Sequence, residues 1–285
     1  VSGRAADILL GASPLPAPDS LIFGTAWGTL TETYDFLTHL FAHDERYPSP
    51  TDFVGSVHNA PAGQVAMRHH ITGANITLTG GERSFEQAFQ VACLQGAHGD
   101  RNVLLISADE YHPDFSALLD APTSASFQPA DGGAAFYLSP VKADPASASI
   151  ELLYYGQPLR EKDLTAPRIQ FEVERAQAAL CQSGKPLKVA AVLHGGSEHL
   201  RVLNEAQLGT FQHQTGIGGP YIDYRLWLGN FPTVSAAAVS IALGFLQAGR
   251  LPEAMCPDGA VAIDNRAILV LSLGQRITLF DVRKC

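Results

Sequence analysis

Between Val234 and Gly249 the chain reads VSAAAVSIALGFLQAG, and most of its side chains are small. Ser235 to Ala238, Ser240, Ala242 and Gly244 leave a helix here almost no polar face, so it must be buried nearly all round. Such a helix belongs between sheets rather than on an outer surface, which calls for a layered architecture. The rest of the chain supplies the sheets. Apolar runs rich in β-branched residues predict strands at Leu21–Thr25, Ile71–Thr79, Asn102–Ala108, Ala134–Leu138, Ile150–Tyr155, Lys188–Leu193, Ala267–Leu273 and Arg276–Phe280. Several are apolar throughout, as strands covered on both faces are. Helical spacing recurs in Phe85, Ala88, Phe89 and Ala92, and again in Ile169, Val173, Ala176 and Leu180 with a stop near Gly184. Strands alternating with helices define the α/β class.

Two stretches are expected to be long loops, Asp109–Gly133 with its three prolines and Thr210–Gly229 with its glycines and aromatics. The segment Ser139–Ala148 (SPVKADPASA) is the best break between two halves, 1–145 and 146–285, of one compact unit.

Composition narrows the function. A net charge of −9 disfavours nucleic acid as a partner, because phosphates demand clustered Lys and Arg. No run approaches the ~20 apolar residues of a membrane span, and Val1–Pro18 lacks the basic flank and apolar core of a secretory signal. Cys93, Cys181, Cys256 and Cys285 lie far apart with no CxxC pair, a reduced, cytoplasmic pattern rather than a disulfide framework or zinc site. Neither a metal nor a cofactor is expected.

The stretch Asn59–Ala92, NAPAGQVAMRHHITGANITLTGGERSFEQAFQVA, resembles the β-ketoacyl synthase segment in which a helix and strand lead to a sharp turn and a buried helix. Further landmarks follow in order. Asn102–Glu110 resembles the family's aDvaLaGG-x-E strand, with Ala108 and Asp109 in place of the glycines. Asp131–Ala135 is similar to its GEGA turn, Val192–Gly196 to its HGTGT loop, Asn230–Gly244 to GHT-x-x-AAG and the helix after it, and Ala267–Phe280 to its closing strands. The resemblance implies a thiolase-like layered α-β-α-β-α fold, N-terminally shortened, since the part ahead of Leu21 is shorter than in a full ketosynthase.

It also implies what is missing. The family condenses acyl groups with a thiolate activated at a helix N-terminus and two imidazoles. Aligned on the family pattern, Glu82 stands where the cysteine should be, His194 matches the first histidine, and the second falls on Pro232. A carboxylate is a poor nucleophile toward thioesters and forms no stable acyl intermediate, and proline offers no donor. No residue is assigned a catalytic role, and the chain should not condense acyl groups by itself. The resemblance points to a chain-length factor, a degenerate subunit that pairs with an active cysteine-bearing ketosynthase, completes the dimer and shapes the acyl tunnel in polyketide, aryl-polyene or fatty-acid-like elongation. Thr77, Thr79, Phe85, Phe89 and Phe231 are the candidate tunnel or interface residues. The strand into the turn would pair across the two-fold through its open edge. The acidic acyl carrier protein would dock mainly on the partner, since this chain is acidic too. The alternative is a ketosynthase relative of altered chemistry such as a malonyl-thioester decarboxylase, against which Pro232 weighs.

Plainer readings accompany these. Glu82 suits a helix N-terminus, supported by the dipole and by Arg83 or Ser84, and His194 suits a buried imidazole held by backbone partners. Ser84 lacks a GxSxG elbow for hydrolase work, and Cys93 reads as a small core residue. His58, His69 and His70 suggest no metal site, and His112 and His213 should be solvated.

Overall fold

A computed structural model of the chain describes residues 1–11, 15–98, 102–119, 128–140, 148–159, 165–184, 188–256 and 259–284. Contacts divide it into two compact units. The first comprises the described residues of Val1–Pro122, Gln128–Lys142 and Leu228–Ala237; the second comprises those of Ala143–Trp227 and Ala238–Cys285.

The first unit contains α1 (Ser2–Gly11), β1 (Ser20–Gly24), α2 (Leu30–Ala42), α3 (Pro50–Ser56), α4 (Ala60–Arg68), β2 (Asn75–Leu78), α5 (Ser84–Ala97), β3 (Val103–Asp109), α6 (Ser116–Leu119) and β4 (Gly132–Leu138). Its sheet has the order β2-β1-β3-β4, with β1 parallel to β2 and β3, and β4 antiparallel to β3. Every residue of β1 and β3 is buried, the condition of strands covered on both faces. One face, Leu21, Phe23, Leu104, Ile106 and Ala108, joins Ala6 of α1 and Ala62, Val65 and Ala66 of α4 in one apolar cluster. Alternation along the strands turns Ile22 and Leu105 the other way, toward α5, whose Phe85, Ala88, Phe89 and Ala92 are buried.

The second unit contains β5 (Ala148–Tyr155), α7 (Ala166–Gln182), β6 (Val189–Gly195), α8 (Arg201–Thr215), β7 (Tyr221–Asp223), β8 (Ala267–Ser272) and β9 (Thr278–Lys284). The sheet order is β5-β9-β8-β6-β7, antiparallel on the β5 side and parallel from β8 to β7. Val173, Ala176 and Leu180 of α7 and Phe211 of α8 pack with Tyr154, Val192, Leu269, Leu271 and Leu279 from the strands. A four-residue helix, α9 (Arg225–Leu228), follows β7, and α10 (Val234–Ala248) is divided between the units after Ala237.

All eight strands expected from the sequence are present, some with shifted ends. Ile71–Thr79 contracts to Asn75–Leu78, because Ile71 enters the core under α4 and Gly73 runs so close to Asp19 that a Cβ would lie 1.9 Å from its carbonyl oxygen. Thr210–Gly229 is not a loop. Helix α8 runs on to Thr215, stops at Gly216 with φ of +59°, and β7 and α9 follow. A three-residue strand is too short for its alternation to show in sequence. No residue of α10 from Val234 to Ala242 is exposed, but Gly244, Gln247 and Ala248 are, so the helix is not buried all round. Within the expected loop Asp109–Gly133, residues 120–127 lie outside the described residues, as do 141–147 of the expected break. No helix among the described residues is long and apolar enough to cross a membrane.

Candidate functional site

Strand β2 ends at Leu78, and α5 begins at Ser84 after five intervening residues. The reversal needs Gly81, whose φ is +60°, a value that costs glycine nothing. Ser84 ties the turn together. Its hydroxyl accepts from the Gly80 N–H at 2.9 Å and points its proton between the carbonyl oxygens of Gly81 (2.7 Å) and Thr25 (2.9 Å). Gly24 lets β1 approach this point, since a Cβ there would lie 2.7 Å from the Ser84 carbonyl oxygen and 3.1 Å from the Ala88 Cβ.

Glu82 stands half-buried at the tip of this bend. Next to it the Arg83 guanidinium lies 3.7 Å from the carboxylate of Glu86, which is fully buried in the first turn of α5. Acidic groups at this end of a helix interact favourably with its dipole. The bend carries no sulfur. Cys93 lies nine residues further along α5, about 13 Å at the helical rise. It is exposed, not the core residue expected, because it falls off the Phe85–Phe89–Ala92 face. Ser84 is the one hydroxyl of the turn after Thr79, and burial with fully engaged lone pair and proton makes it structural.

The expected tunnel residues of this region divide into two groups. Phe85 and Phe89 are core, with ring centroids 6.2 Å apart, and Phe85 lies 5.6 Å from Phe136 of β4. Thr77 and Thr79 belong to the edge of the sheet. Thr79 is exposed, and the Thr77 hydroxyl is buried without a hydrogen-bond partner. Among the described residues β2 pairs only with β1, which leaves its outer edge open.

A second turn of the first unit leads into α10. The Asn230 N–H donates to the Gln128 carbonyl at 2.7 Å, and the Asn230 carbonyl accepts from Ala130 at 3.2 Å. The Phe231 ring is buried on Gly132, where a Cβ would sit 2.0 Å from its Cζ. Pro232 follows, buried and without a donor. Thr233 donates to Asp109 Oδ2 twice, through its hydroxyl at 2.8 Å and its N–H at 3.2 Å. Asp109 Oδ1 accepts from the Thr25 hydroxyl (2.8 Å), the Ala26 N–H (2.8 Å) and the Trp27 N–H (3.0 Å). Burial raises the Asp109 carboxyl above the ordinary aspartate range, and these same donors pull against it. In the sequence Asp109 stands out only as a departure from the family's glycines. Its signal was there: an acid closing the otherwise apolar run VLLISAD must find donors or be expelled.

His194 belongs to the second unit, half-buried on β6 and paired in register with Asp223 of β7. Its backbone carbonyl accepts from the Tyr224 N–H at 2.9 Å, and the Tyr224 hydroxyl lies 3.4 Å from the Gly195 carbonyl and 3.3 Å from the Ser272 hydroxyl. Burial lowers the imidazole's pKa, opposed by the Asp223 carboxylate, so the ring favours its neutral form. Burial pushes the Asp223 carboxyl up, while the Arg225 N–H at 2.9 Å and the His194 ring draw it back. Of the other histidines, His69 donates through Nε2 to Asp7 Oδ1 at 2.9 Å and His213 is exposed. His112 is not simply solvated: its ring stacks on Tyr34 at 4.4 Å and meets Phe115 at 5.7 Å.

The elbow between a parallel strand and a buried helix, in an α/β chain of two mixed sheets, places the protein among the thiolase-like folds. A family model described as the N-terminal domain of β-ketoacyl synthases matches residues 11–158, and the chain belongs to that family. Among curated proteins no sequence matches. Solved structures share the fold. A β-ketoacyl synthase from Burkholderia phymatum STM815 is 15% identical with a TM-score of 0.74, over 100% of this chain and 81% of that one. The ishigamide ketosynthase/chain length factor is 17% identical with a TM-score of 0.66, over 96% and 74%. The AntDE:AntF complex, a type II PKS acyl-carrier protein with its ketosynthase, is 13% identical with a TM-score of 0.64, over 98% and 81%.

Proposed function

We propose that this chain is a non-catalytic subunit of the chain-length-factor type, which pairs with an active, cysteine-bearing β-ketoacyl synthase and shapes the acyl tunnel of the pair. The observation that carries the proposal is the bend at Gly81–Arg83, which turns a parallel strand into a buried helix and carries Glu82, not a cysteine, at its tip; by the family pattern this tip is the position of the nucleophile. A carboxylate there cannot store an acyl chain as a thioester. The buried turn at Phe231–Thr233 has Pro232 at its centre and so offers no imidazole to polarise a thioester carbonyl. Both losses argue against independent condensation and against a malonyl-thioester decarboxylase.

The outer edge of β2, unpaired among the described residues and carrying Thr77, with Thr79 just past its end, supports assembly by strand pairing across a two-fold. The net charge of −9 supports docking of an acidic acyl carrier protein on the partner rather than here. Among the described residues Cys93, Cys181 and Cys256 are free, which suits the reducing cytoplasm. Polyketide or aryl-polyene elongation is the setting in which we place the pair.

Co-expression with candidate cysteine-bearing ketosynthases tests the reading. A one-to-one complex that condenses acyl groups, and keeps most of its turnover when Glu82 is changed to Ala, is the expected result. A stable homodimer that ignores every ketosynthase, or loss of condensation in Glu82→Ala, would overturn it.

A further inference from the structure

In the first unit one carboxylate holds two segments that are far apart in the chain. Asp109 closes β3, is 2% exposed, and receives five hydrogen bonds: three on Oδ1 from Thr25, Ala26 and Trp27, and two on Oδ2 from Thr233. The Thr25 hydroxyl also accepts from the Gly28 N–H at 3.0 Å, so the loop leaving β1 is bound on both sides of Trp27. A fully buried carboxylate is tolerated only where donors replace its water, and here each oxygen is given its own segment to hold.

The segment on Oδ2 is the turn that carries Phe231 and Pro232. It has two further restraints, the backbone pairing of Asn230 with Gln128 and Ala130, and the seat of the Phe231 ring on the bare Cα of Gly132. Those two restrain the turn from the Asn230 side. On the α10 side Asp109 supplies both of the hydrogen bonds that Thr233 donates to a side chain. Pro232 cannot contribute one, lacking an N–H.

We infer that Asp109 is a positioning residue: it locks the Phe231–Thr233 turn to the loop leaving β1, and the fixed placement of Phe231 limits the length of acyl chain the complex can accommodate. The inference rests on the tunnel-shaping role proposed above. The chemistry of the carboxylate makes it selective. In Asp109→Asn the three donors on Oδ1 select the amide oxygen for that side. The NH₂ can then donate to the Thr233 hydroxyl oxygen, but it opposes the Thr233 N–H donor to donor, and that N–H loses its acceptor. The Thr233 amide should be released while the Thr25–Trp27 loop stays bound. Thr233→Val removes the shorter of the two Oδ2 contacts and leaves the side-chain volume and the carboxylate intact.

Hydrogen exchange on the full-length chain, resolved at Ala26, Trp27 and Thr233, tests the latch without reference to any partner. In Asp109→Asn the Thr233 amide should exchange roughly tenfold or more faster, with Ala26 and Trp27 changed much less. Thr233→Val, which keeps the carboxylate, should also leave those two amides protected. Unchanged exchange at Thr233 in Asp109→Asn, or equal release of all three amides, overturns the latch. The same variants in the purified complex with the ketosynthase should broaden the product-length distribution while total turnover and the complex itself persist. An intact complex with released amides and unaltered product lengths overturns the link to chain length. Failure of the wild-type chain to bind any ketosynthase would defeat the proposed function instead, and the exchange data would then decide the latch alone.

Discussion

Changing Ser84 to Ala isolates what the elbow owes to one hydroxyl. The side chain is fully buried, and its oxygen accepts one N–H, from Gly80. Its single proton is shared between two carbonyl oxygens, those of Gly81 and Thr25, so one donated bond is counted. Two buried hydrogen bonds contribute about 1 kcal/mol each, and the stranded Gly80 N–H adds part of a desolvation cost of about 1–3 kcal/mol. Alanine at the start of α5 returns a few tenths of a kcal/mol through helix propensity, roughly 0.5 at most. The net loss is about 2 kcal/mol. With a urea m-value of about 2 kcal/mol/M, the midpoint of the transition that reports the first unit should fall by about 1 M. Fluorescence and far-UV circular dichroism should be followed together, since two units need not unfold as one. Thioester hydrolysis measured in parallel separates this account from a hydrolase reading, in which Ser84 would be a nucleophile. A midpoint unchanged within the range of surface substitutions, about 0.5 kcal/mol, would refute the structural role. Loss of hydrolysis at full stability would replace it with a catalytic one.

Two further outcomes concern the second unit. Burial holds the His194 pKa below its unfolded value of 6.5, so below that pH the unfolded chain binds more protons than the folded one. Stability should then rise with pH through this window and be lost as pH falls below about 6.5; denaturation midpoints between about pH 5 and pH 7 should slope downward on acidification, and less steeply in His194→Phe. Tyr154→Phe removes a 2.6 Å hydrogen bond to the buried Glu172, which keeps the Gln157 N–H at 3.2 Å and Arg168 at 3.1 Å. The expected loss is about 1–3 kcal/mol by urea denaturation, and no loss would mean that those remaining partners satisfy the carboxylate fully.

The elements that were legible in the sequence are those whose pattern is long and local. β3 is buried along its whole length, so its apolar run stands out, and α5 shows its core stripe in Phe85, Ala88, Phe89 and Ala92. The elbow was legible for a different reason: Gly80-Gly81 before a helical pattern is a turn that few other residue pairs can make. What escaped is non-local. β7 has three residues and exists because Gly219 lets the chain pass close to Ala190, where a Cβ would lie 3.0 Å from the carbonyl oxygen. The environment of Asp109 depends on Thr25 and Thr233, 84 and 124 positions away. Cys93 was misplaced because helical spacing fixes a face only to within one position, and it sits just beside the buried stripe.

On the proposed reading, in which Glu82 holds the position of the family's nucleophile, the elbow shows how the bend keeps its shape without one. Three features impose the bend, and none is the residue at its tip. Gly81 supplies the positive φ, the Ser84 hydroxyl joins the turn to the loop after β1, and Gly24 gives up a side chain so that β1 and α5 can meet. Glu82 stands at the tip of a bend that these contacts already shape. The turn at Phe231–Thr233 is different. Its ties to Asp109, Gly132 and Gln128 involve the turn residues themselves, and Pro232 suits it because the tie on each side leaves its missing N–H without consequence. The two positions are therefore not equivalent. Placing a sulfur with Glu82→Cys changes one side chain and no backbone donor, whereas placing an imidazole with Pro232→His returns an N–H to a buried turn whose ties make no use of it. A variant carrying both should fold less stably than one carrying the cysteine alone, with the whole difference arising at residue 232.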